Sequence, residues 1–273
     1  MQKSFLTPGP VSLYVEVGSG GVIVHTDEVT ETVVDVNGKH ADEVIVEQRG
    51  DEIVVIARQR GGSFLGRGSD VDVHVSAPYD SRLVTKLGSA DLRVMGRIGE
   101  SMLRSGSGDV TLEDSSGDVF VESGSGDVEA DELRGDLRVK CGSGDVSVDR
   151  VEGSATVSTG SGDVRVGAAT GSLQVKSGSG DLTIDDAQHD VVLNTASGDL
   201  YVGQVHRGQL TARNVSGDIR VGVPAGIPVW TDISTMTGSV RSSLEGAGEP
   251  AEGQDFIELR AKSVSGDISL EQL

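Results

Sequence analysis

The sequence predicts an all-β protein, a right-handed parallel β-solenoid (β-helix) with 18-residue coils of two 9-residue halves. Three observations predict it. The tripeptide Ser-Gly-Asp recurs with its aspartate at Asp109, Asp127, Asp145, Asp163, Asp181 and Asp199, every 18 residues. Gly and Val are in large excess, at 39 and 40 of 273 residues, whereas Pro numbers only 6. Aromatic side chains are scarce, with 4 Phe, 3 Tyr and 1 Trp, which calls for a thin core of Val, Leu and Ile.

The register extends in both directions. Asp91 lies one period before Asp109, and Asp218 follows Asp199 by 19 residues, with the extra residue near Arg207-Gly208. Halfway markers fall at Asp118, Asp136, Ser154, Ser172 and Asp190. Markers are followed by apolar-x-apolar, as in Val110/Leu112, Val119/Val121, Leu137/Val139 and Val146/Val148. Alternation with period two buries one face of a strand and solvates the other. Val suits the pleat through its branched β-carbon, and Gly suits tight turns because it lacks Cβ. So short a repeat cannot bury its apolar face alone, and copies must stack. Parallel stacking advances about 4.8 Å per coil, and right-handed winding is the usual hand of parallel crossovers. Stacking also aligns Ser105, Ser123, Cys141, Thr159, Ser177 and Thr195, so Cys141 reads as a small column residue rather than a nucleophile.

Regular solenoid is expected over 89–221. Residues 1–88 carry strand-like runs at Val11–Val17, Val22–His25, Val33–Val36, Val44–Val46, Ile53–Ala57 and Val71–Val75 but lose the register. They are expected to form an N-terminal β-structured cap or irregular coils, with a hairpin at Gln48-Arg49-Gly50-Asp51 and a Gly-rich loop over Gly61–Ser69. Residues 222–273 read as C-terminal coils and a cap, with an acidic loop near 245–255 and a last Ser-Gly-Asp ending at Asp267. Caps matter because an open solenoid end exposes unpaired strand edges.

The formal charge is −20, from 43 acidic and 23 basic residues. Phosphate backbones and anionic surfaces are repelled, so neither nucleic acid nor membrane insertion is expected. No stretch approaches the ~18 apolar residues of a spanning helix. A protein partner or a cation suits such a surface. One cysteine permits no internal disulfide and leaves the redox compartment open, whereas the opening MQKSFLTPGP lacks an apolar signal core, so the expected location is cytoplasmic.

Chemistry centres on the aspartate ladder Asp91, Asp109, Asp127, Asp145, Asp163, Asp181, Asp199 and Asp218. Calcium-binding β-rolls use coils of the same length, in the pattern G-G-x-G-x-D-x-U-x. Here the acid follows Gly directly, as in Gly126-Asp127-Val128. Each carboxylate is therefore expected to accept turn amides as an Asx-type cap, with only weak divalent cation binding. His25, His40, His74, His189 and His206 lack metal-ligand spacing, and the last two read as a surface pair. Two Arg-Gly-Asp triplets occur, at Arg49–Asp51 and Arg134–Asp136, and the second falls on a repeat marker. No Gly-Lys-Ser/Thr follows a Gly-rich segment, which excludes a phosphate loop. Over 91–221 the turns are short and the only aromatics are Phe120 and Tyr201, poor material for an enzyme cleft. No catalysis and no cofactor are expected.

The recurrent Ser-Gly-Ser-Gly-Asp-Val-x-Val, the opening Pro-Gly-Pro-Val-Ser-Leu-Tyr-Val-Glu-Val-Gly-Ser-Gly and the closing Ser-Val-Ser-Gly-Asp-Ile-Ser-Leu resemble the bacterial putative-adhesin family, a domain of unknown function with β-strand repeats. The resemblance spans essentially the whole chain. It implies a right-handed parallel β-solenoid in a bacterial protein and supplies no molecular activity. The expected function is a non-catalytic interaction or scaffold protein presenting flat acidic faces to a protein partner. A self-assembling, bactofilin-like filament formed by end-to-end association is the alternative, and a calcium-binding repeat protein the third.

Overall fold

Each apolar-x-apolar pair named above lies in a strand, and the strands assemble into two long, mostly parallel sheets. The structure is a computed structural model that describes residues 1–57, 70–246, 248 and 253–273. The predicted Gly61–Ser69 loop lies outside the described residues, as does part of the acidic loop near 245–255. Among the described residues the fold is all-β, with one short 3-10 turn at Ala41–Glu43. The chain divides into two units, Met1–Gly135 and Asp136–Leu273.

In the first unit, one sheet runs in the order Gln2–Leu6, Glu31–Gly38, Val71–Pro78, Gly20–Asp27, Asp91–Ile98, Val110–Ser115, Val128–Leu133. The other runs Ile45–Arg49, Glu52–Ala57, Ser12–Val17, Arg82–Leu87, Ser101–Ser105, Val119–Ser123. Pairing is parallel except at the outer end, where Gln2–Leu6, Glu31–Gly38 and Ile45–Arg49 pair antiparallel. Arg49 and Glu52 close the hairpin, with Gly50 at φ 63°. Each pass of the chain gives one strand to each sheet, but the first pass is not outermost. Ser12–Val17 lies between Glu52–Ala57 and Arg82–Leu87, and Gly20–Asp27 lies between Val71–Pro78 and Asp91–Ile98.

The second unit pairs in parallel throughout. One sheet runs Val146–Val151, Val164–Ala169, Leu182–Ala187, Leu200–Val205, Ile219–Val223, Ile268–Gln272, Val240–Ser242. The other runs Leu137–Cys141, Ala155–Ser161, Leu173–Ser179, Val191–Ser197, Gly208–Arg213, Ile257–Ser265, Val229–Thr237. At this end too the order departs from the sequence, because the last pass, 257–272, is inserted inside 229–242.

The register stacks like on like. Val146, Val164, Leu182, Leu200, Ile219 and Ile268 form one column, each at most 1% exposed. Leu137, Ala155, Leu173, Val191, Leu210 and Leu259 form the column in the facing sheet. Burying such a Val or Leu side chain stabilises by about 1.5–3 kcal/mol. Among the described residues no aromatic side chain joins the buried core, so the thin interior is filled by aliphatic groups. Cys141 is buried, and its Sγ accepts the Gly144 amide at 3.2 Å; at the corresponding repeat positions Ser105 and Ser123 donate hydroxyls to the Gly108 and Gly126 carbonyls.

Candidate interaction surfaces

The aspartate ladder occupies the turns that lead into the strands of the first-described sheets. In the first unit the Asp109 amide donates to Asp91 Oδ1 at 3.0 Å, and the Asp127 amide to Asp109 Oδ1 at 2.9 Å. In the second unit, 2.8 Å bonds run from the Asp163 amide to Asp145, from Asp181 to Asp163, from Asp199 to Asp181 and from Asp218 to Asp199. Asp267 and Ser239 continue the series onto Asp218 and Asp267. The Ser239 amide holds the Asp267 carboxyl below the ordinary aspartate range. Halfway turns repeat the device, with the Ser154 amide on Asp136 and the Gln209 amide on Asp190. Carboxylates at the strand spacing of about 4.8 Å repel by roughly 1 kcal/mol in water. Solvent screens that repulsion, and the turn amide that each Oδ1 accepts offsets it. Because Oδ1 is engaged within the fold, millimolar calcium should raise the melting temperature only slightly in a thermal scan. A large rise, or folding only with calcium, would overturn this view of the ladder.

A second polar cluster has no counterpart in the sequence reading. Arg97 grips Asp80 with two bonds, Nε to Oδ1 at 2.8 Å and Nη2 to Oδ2 at 3.0 Å. Ser116 Oγ donates to the same Oδ1 at 2.6 Å, and the guanidinium lies 5.2 Å from the Tyr79 ring centre. The Arg97 hydrogen bonds, followed by that of Ser116, hold the Asp80 carboxyl below its usual range. A carboxyl whose folded pKa is depressed stabilises the fold above its unfolded value, and this is lost as pH falls through the folded one. Asp80→Asn should therefore lower the melting temperature at pH 7 and flatten its decline on acidification below ordinary aspartate values, measured by circular dichroism. An unchanged acid profile would refute the clamp's contribution.

The other sequence candidates meet ordinary partners. His189 Nε2 lies 3.0 Å from Arg207, and His206 Nε2 lies 3.0 Å from Asp186. Arg134 of the second Arg-Gly-Asp triplet pairs with Asp114 and Glu132, and Asp136 accepts the Ser154 amide. Among the described residues no group of three His, Cys, Asp or Glu is placed to hold a metal ion, and no helix is long and apolar enough to cross a membrane. A groove of about 400 Å³ in the first unit is lined by Ile23, Arg93 and Thr111 with the acids Asp91, Asp109, Asp127 and Glu129.

One outer row is apolar. Tyr14, Val84, Met102 and Phe120 stand in register as a half-buried row on the second-described sheet of the first unit. Beside them run the ion pairs Lys86–Glu16 at 3.7 Å and Arg104–Glu122 at 3.1 Å. The row escapes a reading of the sequence because each member is a lone outward residue within its own strand.

The fold is similar to that of a solved structure described as a putative lipid binding protein from Parabacteroides distasonis. The TM-score is 0.52 and the identity 15%, covering 99% of this chain and 96% of that one. Structures described as putative adhesins from Parabacteroides merdae and Bacteroides fragilis align at TM-scores of 0.36 and 0.34. Their identities are 12% and 13%, and both cover 99% of this chain, with 95% and 96% of their own. No curated protein matches the chain significantly. The family model for Toastrack DUF4097 matches residues 22–271, spanning the stacked strands of both units, and the chain belongs to this family.

Proposed function

We propose that this protein is a non-catalytic, adhesin-like interaction scaffold, a right-handed parallel β-solenoid of 18-residue coils that presents flat faces to a protein partner. The observation that carries this reading is the Tyr14–Val84–Met102–Phe120 row with its ion-paired flank. An apolar centre beside a polar border is the make-up of a protein contact. The strongly negative chain adds long-range attraction toward a basic partner. The discrete scaffold is preferred over a filament because the first unit ends in antiparallel strands that a parallel stack does not continue. The test is affinity capture from the native bacterium with the full chain and with Met102→Glu as bait. A partner held by the parent chain, lost with the variant and weakened by salt is the expected result. An enriched set identical for the two baits would overturn the reading.

A further inference from the structure

The two outer ends of the sheets are treated differently. In the first unit the terminal strand Gln2–Leu6 lies antiparallel on its neighbour, and Lys3 Nζ reaches across to the Val46 carbonyl in the other sheet at 2.6 Å. In the second unit the last strand, Val229–Thr237, is a nine-residue parallel strand that among the described residues pairs on one side only, with Ile257–Ser265. It contains no Lys and no Pro, the usual devices that protect a sheet edge.

Its interior is unfinished as well. Val229, Thr231, Ile233 and Thr235 share the register of Ile257, Leu259, Ala261 and Ser263, so they face the core. Ile257 and Ala261 are fully buried, whereas Val229 and Ile233 are only half-buried, and Val240 beside them is 48% exposed. On the outward side stand Trp230, the only tryptophan of the chain, and Met236, which is 79% exposed. Met236 also ends a short ridge with exposed Val264 and Val215, each one residue before an aligned turn position.

The two outer strands themselves carry balanced charge. Residues 227–243 carry one acid, Asp232, and one base, Arg241, in a chain of net charge −20. Both are neutralised inward, Asp232 by Lys262 at 3.1 Å and Arg241 by Asp267 at 3.6 Å. We propose that this edge is a self-association surface on which two copies meet about a two-fold axis, Val229–Thr237 pairing antiparallel with its counterpart. A register centred on Ile233 sets Trp230 opposite the second copy's Met236, twice over. A nine-residue strand is about 30 Å long. With the two-sheet thickness and flanking side chains, the end face is roughly 30 by 20 Å, so about 1,200 Å² is buried in all, where specific interfaces begin. A two-fold contact closes at two copies, so it yields a dimer and not a fibre.

This inference does not depend on the Met102 face and can fail or stand separately from it. Sedimentation equilibrium of the full chain should show a monomer–dimer equilibrium in the micromolar range or tighter. Trp230 emission should shift to the blue as concentration rises. Met236→Asp sets a carboxylate against the second copy's Trp230 at both ends of the strand pair, and desolvating it should weaken the dimer by roughly 30-fold or more. Its melting temperature measured on dilute monomer should be unchanged, since Met236 is exposed. A chain that stays monomeric at the highest soluble concentration would overturn the proposal. So would a dimer indifferent to Met236→Asp with unmoved tryptophan emission, or growth into open filaments.

Discussion

Gly180→Ala is expected to be among the most destabilising single-methyl additions in the chain. Gly180 sits at φ +150°, a backbone conformation that side chains rarely adopt, and an added Cβ would fall on the carbonyl of Gly162 in the neighbouring pass. Strain of this kind costs about 1–3 kcal/mol, and forcing atoms into occupied space costs about 1–3 kcal/mol more. The obstructing atom is backbone, and the Gly162 amide is itself tied to the Ser179 carbonyl at 3.0 Å, so it cannot swing away as a side-chain tip would. A loss of about 4 kcal/mol is a large part of the 5–15 kcal/mol that holds a domain together. Gly9→Ala is the control, because nothing lies within 4 Å of its added methyl. Denaturant unfolding of the two variants checks the contrast. Equal midpoints would mean that the turns do not pack as closely as the stacked glycines require.

The second large effect comes from the phase of the strands. Val148 is 1% exposed and is stacked on Val166, whereas Ser147 points the other way, beside Arg165. Val148→Asp should destabilise by about 3–5 kcal/mol, because it leaves a carboxylate in the aliphatic interior with no partner. Ser147→Asp should be neutral or slightly stabilising, since the new charge lies across from the Arg165 guanidinium. Thermal and urea unfolding would separate the pair clearly. Similar stability for the two would refute the assignment of inward and outward positions.

How far the sequence could be read follows from where each strand finds its partner. From Asp91 to Asp199 the partner is the next copy of the repeat, so Val146 with Val164 and Leu182 with Leu200 are visible as a period. Before residue 88 the alternation still marks strands, but Ser12 pairs with Glu52 on one side and Arg82 on the other. Those separations follow no period, and the register vanishes from view. Near the C-terminus, Asp267 bonds to Asp218, 49 residues away, skipping the intervening segment. That segment contains a further pass, in which Thr237-Gly238-Ser239-Val240 stands where other copies have Ser-Gly-Asp-Val. The echo is present, but Ser for Asp hides it. The ladder aspartates were evident from spacing, whereas the Asp80–Arg97–Ser116 clamp was not, because Asp80 precedes the regular register. Trp230 and Met236 gave no sequence signal beyond their rarity, since their meaning depends on lying at an edge.

The insertion of residues 257–272 inside residues 229–242 also bears on synthesis. On the ribosome, Val229–Thr237 emerges while Gly208–Arg213 still presents an open side, and nothing in chain order keeps the two from pairing. The finished structure assigns that side to Ile257–Ser265, which is made later. Translation therefore delivers a plausible wrong neighbour before the right one, and the final segment must claim or displace it. Residues 257–272 thus act as a keystone: until they are in place, the second unit cannot complete its order.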